Sequence, residues 1–174
     1  GADCAIFNNM AVGTGYVAIG CRDAAKLAVI QACNNLLASM VVPKMIMNTI
    51  SLPANYRALK IKEIMKTVCD TACEMDVKIG GGHTEYVPGL ASPVYNVTAL
   101  GQCERVMDMS YDKDLDIVMT KWMALSGTAI LAKEKGYRGV IFDIDMANFD
   151  KAESVRELLI ENGSPEFEVL PLSI

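Results

Sequence analysis

Val77-Lys78-Ile79-Gly80-Gly81-Gly82-His83-Thr84-Glu85 is the stretch on which the fold turns. A short β-prone run at Val77–Ile79 leads straight into three glycines, the pattern of a strand that ends in a loop whose backbone can approach a ligand closely. Consecutive N–H groups exposed by such a loop suit phosphate oxygens, and His83 and Glu85 just beyond could ligate a metal or orient water. The plain alternative is a glycine-rich turn with one exposed His and one exposed Glu. Upstream, over 55–76, apolar residues at Ile61, Ile64, Met65, Val68, Ala72 and Met75 recur at helical spacing, with Lys62, Glu63, Lys66, Asp70 and Glu74 between them. That periodicity predicts an amphipathic helix covering one face of a sheet.

Further out, strands and helices alternate. Cys4–Phe7 and Tyr16–Ile19 read as strands separated by Asn8-Asn9 and by Gly13-Thr14-Gly15 as a turn signal. From Arg22 to about Ser39 the chain is dense in Ala, Leu, Val and Ile with Lys26 as its one charge after Asp23, which predicts a helix apolar around most of its circumference and sandwiched in the interior. Val41–Leu52, bracketed by Pro43 and Pro53, reads as a strand, as does Val94–Leu100. Beyond these come a strand at Leu115–Thr120, a helix at Trp122–Lys135, a strand at Gly139–Ile144, a charged helix near Asp150–Glu161 and a strand at Phe167–Leu170. The class is therefore α+β with α/β-like alternation: a mixed β-sheet backed by helices, followed by a short βαβ-like C-terminal tail.

Composition narrows the function. Hydrophobic residues make up 52% of the 174 and charged residues 21%, which argues for a packed interior and against intrinsic disorder. A net charge of −5 with no basic cluster gives no phosphate-tracking surface for nucleic acid. The uncharged run Leu27–Pro43 contains Gln31, Asn34, Asn35 and Ser39 and is too short to span a bilayer comfortably. With no basic n-region followed by an apolar h-region, a cytoplasmic location is expected, and the six cysteines then read as reduced core residues. Cys69 and Cys73 share a helix face and would permit a metal or redox pair if further ligands converged, packing being the plainer reading. The eleven methionines read as core filler. Asp143-Ile144-Asp145 after Gly139–Phe142 is similar to the Asp-x-Asp of haloacid dehalogenase-type phosphatases, but Met146-Ala147 replaces the Gly-Thr that follows there. Two acids capping a turn explain it better.

Four motifs in order carry a family resemblance. They are Gly1-Ala2-Asp3-Cys4-Ala5-Ile6; Lys26-Leu27-Ala28-Val29 leading to Cys33-Asn34-Asn35-Leu36-Leu37-Ala38-Ser39; Gly81-Gly82-His83-Thr84-Glu85 with Pro88-Gly89; and Asp116–Trp122 with Gly127–Ala132. Together, over about residues 1–133, they resemble the AIR synthase (PurM-like) superfamily, nearest to its AIR-synthase-related and hydrogenase-maturation (HypE-like) members. The resemblance implies a PurM N-terminal-like domain at 1–133, with 134–174 an extension packed on it. It also implies dimerisation by sheet-to-sheet packing, and ATP with magnesium bound near the interface to activate an oxygen of a small molecule or a thiocarboxamide-type group. On that carry-over the nucleotide contacts are Asp3, Asn34, Asn35, Gly81, Gly82, His83, Thr84 and Glu85, with Asp3 and Glu85 as magnesium ligands.

The chain departs from the pattern at several places. Asn35 stands where the family has an Asp, and Gly15 stands by approximate register where another Asp ends the preceding strand. The glycine-rich segment upstream of Asp3, the second domain and the C-terminal Cys of hydrogenase-maturation members have no counterpart, so a partner chain supplying the second domain is one expectation. Two readings follow from the sequence: an ATP- and magnesium-binding domain of an enzyme, or a dimerisation or regulatory module that has lost its nucleotide site.

Overall fold

The computed structural model describes residues 3–103 apart from Arg22, together with Leu131. Strand β1 (Cys4–Phe7) and strand β2 (Met10–Val17) form a hairpin. Asn8 and Asn9 make its two-residue turn with φ of 46° and 61°, the left-handed pair that matches strand twist in a type I′ turn. Gly13-Thr14-Gly15 does not turn the chain. It lies inside β2, where Gly13 and Gly15 face the first helix. A Cβ on Gly15 would sit 2.3 Å from the Ala28 carbonyl oxygen and 2.6 Å from the Ala32 nitrogen. Close helix approach, not chain reversal, is what these glycines permit.

Helix α1 (Ala24–Ala38) is buried at eleven positions, from Ala24 to Ala38, as its all-round apolar sequence predicts. Strand β3 (Pro43–Pro53) follows, then helix α2 (Ala58–Glu74), whose buried stripe is Ile64, Val68, Thr71 and Ala72 with Ile61 and Met65 at its margin. Both helices end in the same way. Val41 N–H donates to Leu36 and Met40 N–H to Leu37 after α1, while Val77 donates to Ala72 and Asp76 to Cys73 after α2. Met40 and Asp76 take positive φ, so each end is a Schellman motif that satisfies orphan carbonyls without glycine.

Strand β4 (Lys78–Val87) and strand β5 (Val94–Gln102) complete a five-stranded sheet in the order β1-β2-β5-β3-β4. Only the β3–β4 pair is parallel, the others being antiparallel. This is the mixed sheet backed by two helices that the alternation predicts. One face carries Ala11, Val17, Ile46, Ile50, Leu52, Val97 and Ala99 into a core shared with α1 and α2. No described element covers the other face. Phe7, Met10, Tyr16, Met45 and Met47 are exposed on it, so three methionines read from sequence as core filler form surface instead. Apart from Lys44 at the β3 bulge, strands β1, β2, β5 and β3 place no charged side chain there. Among the described residues no helix is long and apolar enough to cross a membrane.

The expected strands at 115–120, 139–144 and 167–170, the helix at 150–161 and the Asp143–Asp145 motif lie outside the described residues. Leu131 is helical, inside the expected helix at 122–135.

Burial has a consequence for pH. Cys33, in the middle of α1, has its thiol pushed up to about 12 by desolvation, and Tyr95 is raised by the same cause. The folded state therefore keeps the Cys33 proton through a range where the unfolded chain, ionising near 9, releases it. Its contribution to stability is intact below pH 9 and is lost as pH rises from about 9 to about 12. Unfolding free energy at pH 10.5 is expected to fall about 2 kcal/mol below its pH 8 value from this thiol alone. Urea titrations of the parent and of Cys33→Ala check it, since the variant must show a shallower alkaline decline.

Candidate functional site

The register fixes where each candidate side chain stands. Cys4 pairs with Gly13, so Asp3, one residue earlier, enters β1 level with Thr14. Asn34 and Asn35 lie half-buried on α1 above the same end of β2. Asn35 Nδ2 donates to the Thr14 carbonyl oxygen at 2.7 Å. Asp3 is thus level with the strand position that Asn35 holds, but on the open-face parity of Thr14, whereas Asn34 and Asn35 belong to the helix that covers the other face.

The hydrogen bond explains what Asn35 does in this chain. A carboxylate cannot donate, so Asp at 35 would place an acceptor against an acceptor. Asn35→Asp is expected to destabilise the fold by about 1–2 kcal/mol, and Asn34→Asp by clearly less, read from urea midpoints. Equal midpoints for the two variants would remove this role. Position 15 is equally informative: the Ala28 and Ala32 backbones occupy the space of any side chain there. Gly15 is a packing residue that faces α1.

The second group lies at the far edge. Gly80-Gly81-Gly82-His83-Thr84-Glu85 does not form a loop: it is part of β4, and every residue from Lys78 to Tyr86 is exposed. Pairing with β3 takes the segment beyond the short strand at 77–79 read from sequence, because Met47–Pro53 offers a continuous parallel partner. The glycines retain a steric purpose. A Cβ on Gly82 would fall 2.0 Å from the Asn48 carbonyl oxygen, whereas nothing lies within 4 Å of one on Gly81. Both hold positive φ, 159° and 155°, a conformation side chains rarely adopt. His83 pairs with Thr49 and Glu85 with Ser51, which puts both side chains on the open face. His83 Nε2 and Glu85 Oε2 are 3.6 Å apart and well exposed. Thr84 pairs with Ile50 on the helix-facing side.

Four strand steps separate the two groups, about 19 Å at roughly 4.8 Å each. One protomer therefore places Asp3 level with Asn35 but across the sheet from it, and brings Gly81 together with Gly82, His83, Thr84 and Glu85, but does not bring Asp3 to Glu85. Among the described residues no three His, Cys, Asp or Glu side chains cluster for a metal. The donor types nonetheless suit magnesium, which takes carboxylate and amide oxygens. Along the strands the groups are aligned: Thr14 pairs with Thr98, Thr98 with Met47 and Met47 with Gly81. Asp3 is thus level with Gly81 across the sheet.

Asn48 is a buried polar neighbour of the candidate glycine segment that reading the sequence missed. It is only 4% exposed, and its Oδ1 lies 3.0 Å from where a Gly82 Cβ would be. The signal was available, since the inward positions of β3 are 46, 48, 50 and 52 and Asn48 is the polar one among them. A buried amide beside the glycine strand calls for a partner.

Comparison with known proteins bears on this arrangement. Residues 1–103 match the sequence model of the AIR synthase related protein, N-terminal domain. No curated protein matches the sequence. Among solved structures, Escherichia coli HypE aligns at TM-score 0.67 with 15% identity, covering 86% of this chain and 50% of that one. Hydrogenase maturation protein HypE in complex with ATP aligns at 0.51 with 19% identity, covering 57% and 32%. Thiamine monophosphate kinase from Aquifex aeolicus aligns at 0.50 with 12% identity, covering 60% and 37%. The chain spans between about a third and a half of the length of these proteins.

Proposed function

The chain belongs to the AIR synthase related family through its N-terminal domain, and from there we propose that it is an ATP- and magnesium-binding domain that works as a homodimer. The observation that carries the proposal is the placement of its two candidate groups at opposite edges of one sheet, level with each other, on either side of an open apolar face. Two such faces packed about a twofold axis parallel to the strands lay β1 of one protomer over β4 of the other, with sheets about 10 Å apart. Asp3 of the partner subunit then comes to the Gly81–Glu85 segment. Each dimer holds two composite sites.

In such a site the roles follow from chemistry. The open backbone at Gly81, next to Gly82, admits phosphate oxygens, His83 adds a donor beside Glu85, and Asn34 and Asn35 keep the opposing edge in place. Asp3 and Glu85 supply the two carboxylates for magnesium, which would neutralise phosphate charge. A solved relative of the fold, HypE, binds ATP, which supports the ligand class. The reaction proposed is ATP-dependent activation of an oxygen on a small molecule or thiocarboxamide-type group, in the cytoplasm, with the domain running to about residue 133 and 134–174 packed on it as an extension. A second domain, from a partner chain or from a longer chain, would complete the acceptor side. Nucleic acid and membrane have no part in it.

Calorimetry with Mg-ATP tests this. Binding by the parent that is lost in both Asp3→Ala and His83→Ala is the expected result. No binding at millimolar ATP would leave the other reading, a dimerisation or regulatory module without a nucleotide.

A further inference from the structure

Cysteine outside a disulfide is among the most buried residue types, and Cys4, Cys33 and Cys103 follow that rule. Cys69 and Cys73 do not. Both are exposed, and they stand one turn apart on α2, outside its buried stripe. Core packing therefore does not account for either.

Helix geometry holds the Cβ atoms of an i, i+4 pair roughly 5–6 Å apart on one face. Two metal–sulfur bonds of roughly 2.3 Å placed end to end span about 4.6 Å, so each thiol has only to lean slightly towards the other. Among the described residues no third His, Cys, Asp or Glu joins them in a metal-binding group. Among the described residues the pair therefore lacks the four-ligand cage a structural zinc requires and suits ions content with two sulfur donors. Met65, one turn before Cys69 at the edge of the core, adds a thioether on the same side, another soft donor.

We propose that Cys69 and Cys73 form a two-thiolate site for a soft monovalent cation, with Cu(I) as the ion that this ligand set selects. On binding, both S–H bonds break, two S–Cu bonds form, two protons leave to solvent and copper stays Cu(I). The local charge goes from +1 for the free ion to −1 for the bridge. Lys62 and Lys66, on the same flank of α2, lie near that negative charge, with Lys66 also paired to Asp70.

Anaerobic titration of the reduced full chain with Cu(I) against bicinchoninate tests the site. One Cu(I) per chain is expected, with Cys69→Ser and Cys73→Ser each weakening it by about 100-fold or more as one of two ligands is lost. Cys21→Ser is expected to stay within about twofold of the parent. Both exposed substitutions should leave the circular dichroism unchanged. Alkylating the exposed thiols of the parent with iodoacetamide, which needs no substitution, should abolish binding as well. Copper held as tightly by either serine variant as by the parent would overturn the proposal, as would zinc bound as tightly as Cu(I).

Discussion

Gly15→Val is expected to yield no folded protein. The first atom of any side chain at this position meets the α1 backbone at 2.3 Å and 2.6 Å and the Gln31 Cβ at 2.9 Å, well inside contact distance, and two of these neighbours are helix backbone that cannot rotate away. To admit it, α1 must lift off β2, and Ala28, Ala32, Cys33 and Leu36, all buried at that seam, lose their packing. Overpacking and lost burial together should exceed about 4 kcal/mol, comparable to a small domain's whole stability. Gly81→Ala is the contrast. Nothing lies within 4 Å of its Cβ, so only the backbone conformation is penalised, at about 1–3 kcal/mol. Circular dichroism and urea unfolding of the two variants measure the difference directly; a folded Gly15→Val protein would mean that α1 does not sit on β2 as described.

Met47→Asp is the second large effect, and it acts on association. Met47 lies near the middle of the open face, 48% exposed, between Thr98 and Gly81. In an interface with twofold symmetry each substitution counts twice, burying two carboxylates in a face lined by Met10, Met45, Val12 and Leu100. The dimer is expected to weaken by at least about 100-fold while each protomer stays folded, because the residue makes no contribution to the helix-covered core. Sedimentation velocity at several concentrations reads this. A parent that is monomeric at every concentration would exclude the dimer at once.

Much of the fold was legible because period and punctuation agree. The 3.6-residue spacing of Ile61, Ile64, Val68 and Ala72 points to a single face, Pro43 and Pro53 bracket β3, and the all-apolar α1 could only be interior. What sequence misplaced were glycines. Gly13-Thr14-Gly15 and Gly80-Gly81-Gly82 both read as breaks, since glycine marks turns by its freedom of φ; here the first set makes room for a helix and the second lets β4 run close along β3. Both are tertiary demands that no local window contains. The methionines were misread for a similar reason, because Met10, Met45 and Met47 are apolar in type but fall at the outward parity of their strands. As for the candidate site, its residues could be named from the motifs, but the sheet order that places them could not. Residues 3 and 85 are on opposite edges because β5 inserts between β2 and β3, a pairing set by residues far apart in sequence.

The shared site makes one claim that separates it from any site built within one protomer. Asp3→Ala and Glu85→Gln each remove one half of every composite site, so each variant alone should fail to bind Mg-ATP. Mixed after reversible dissociation, about half the dimers contain one copy of each, and in these one site carries both substitutions while the other carries neither. Calorimetry of the mixture is therefore expected to recover about a quarter of the parental sites at parental affinity. A mixture that binds no more than either variant alone, from a parent that does bind, would contradict a site shared between two protomers.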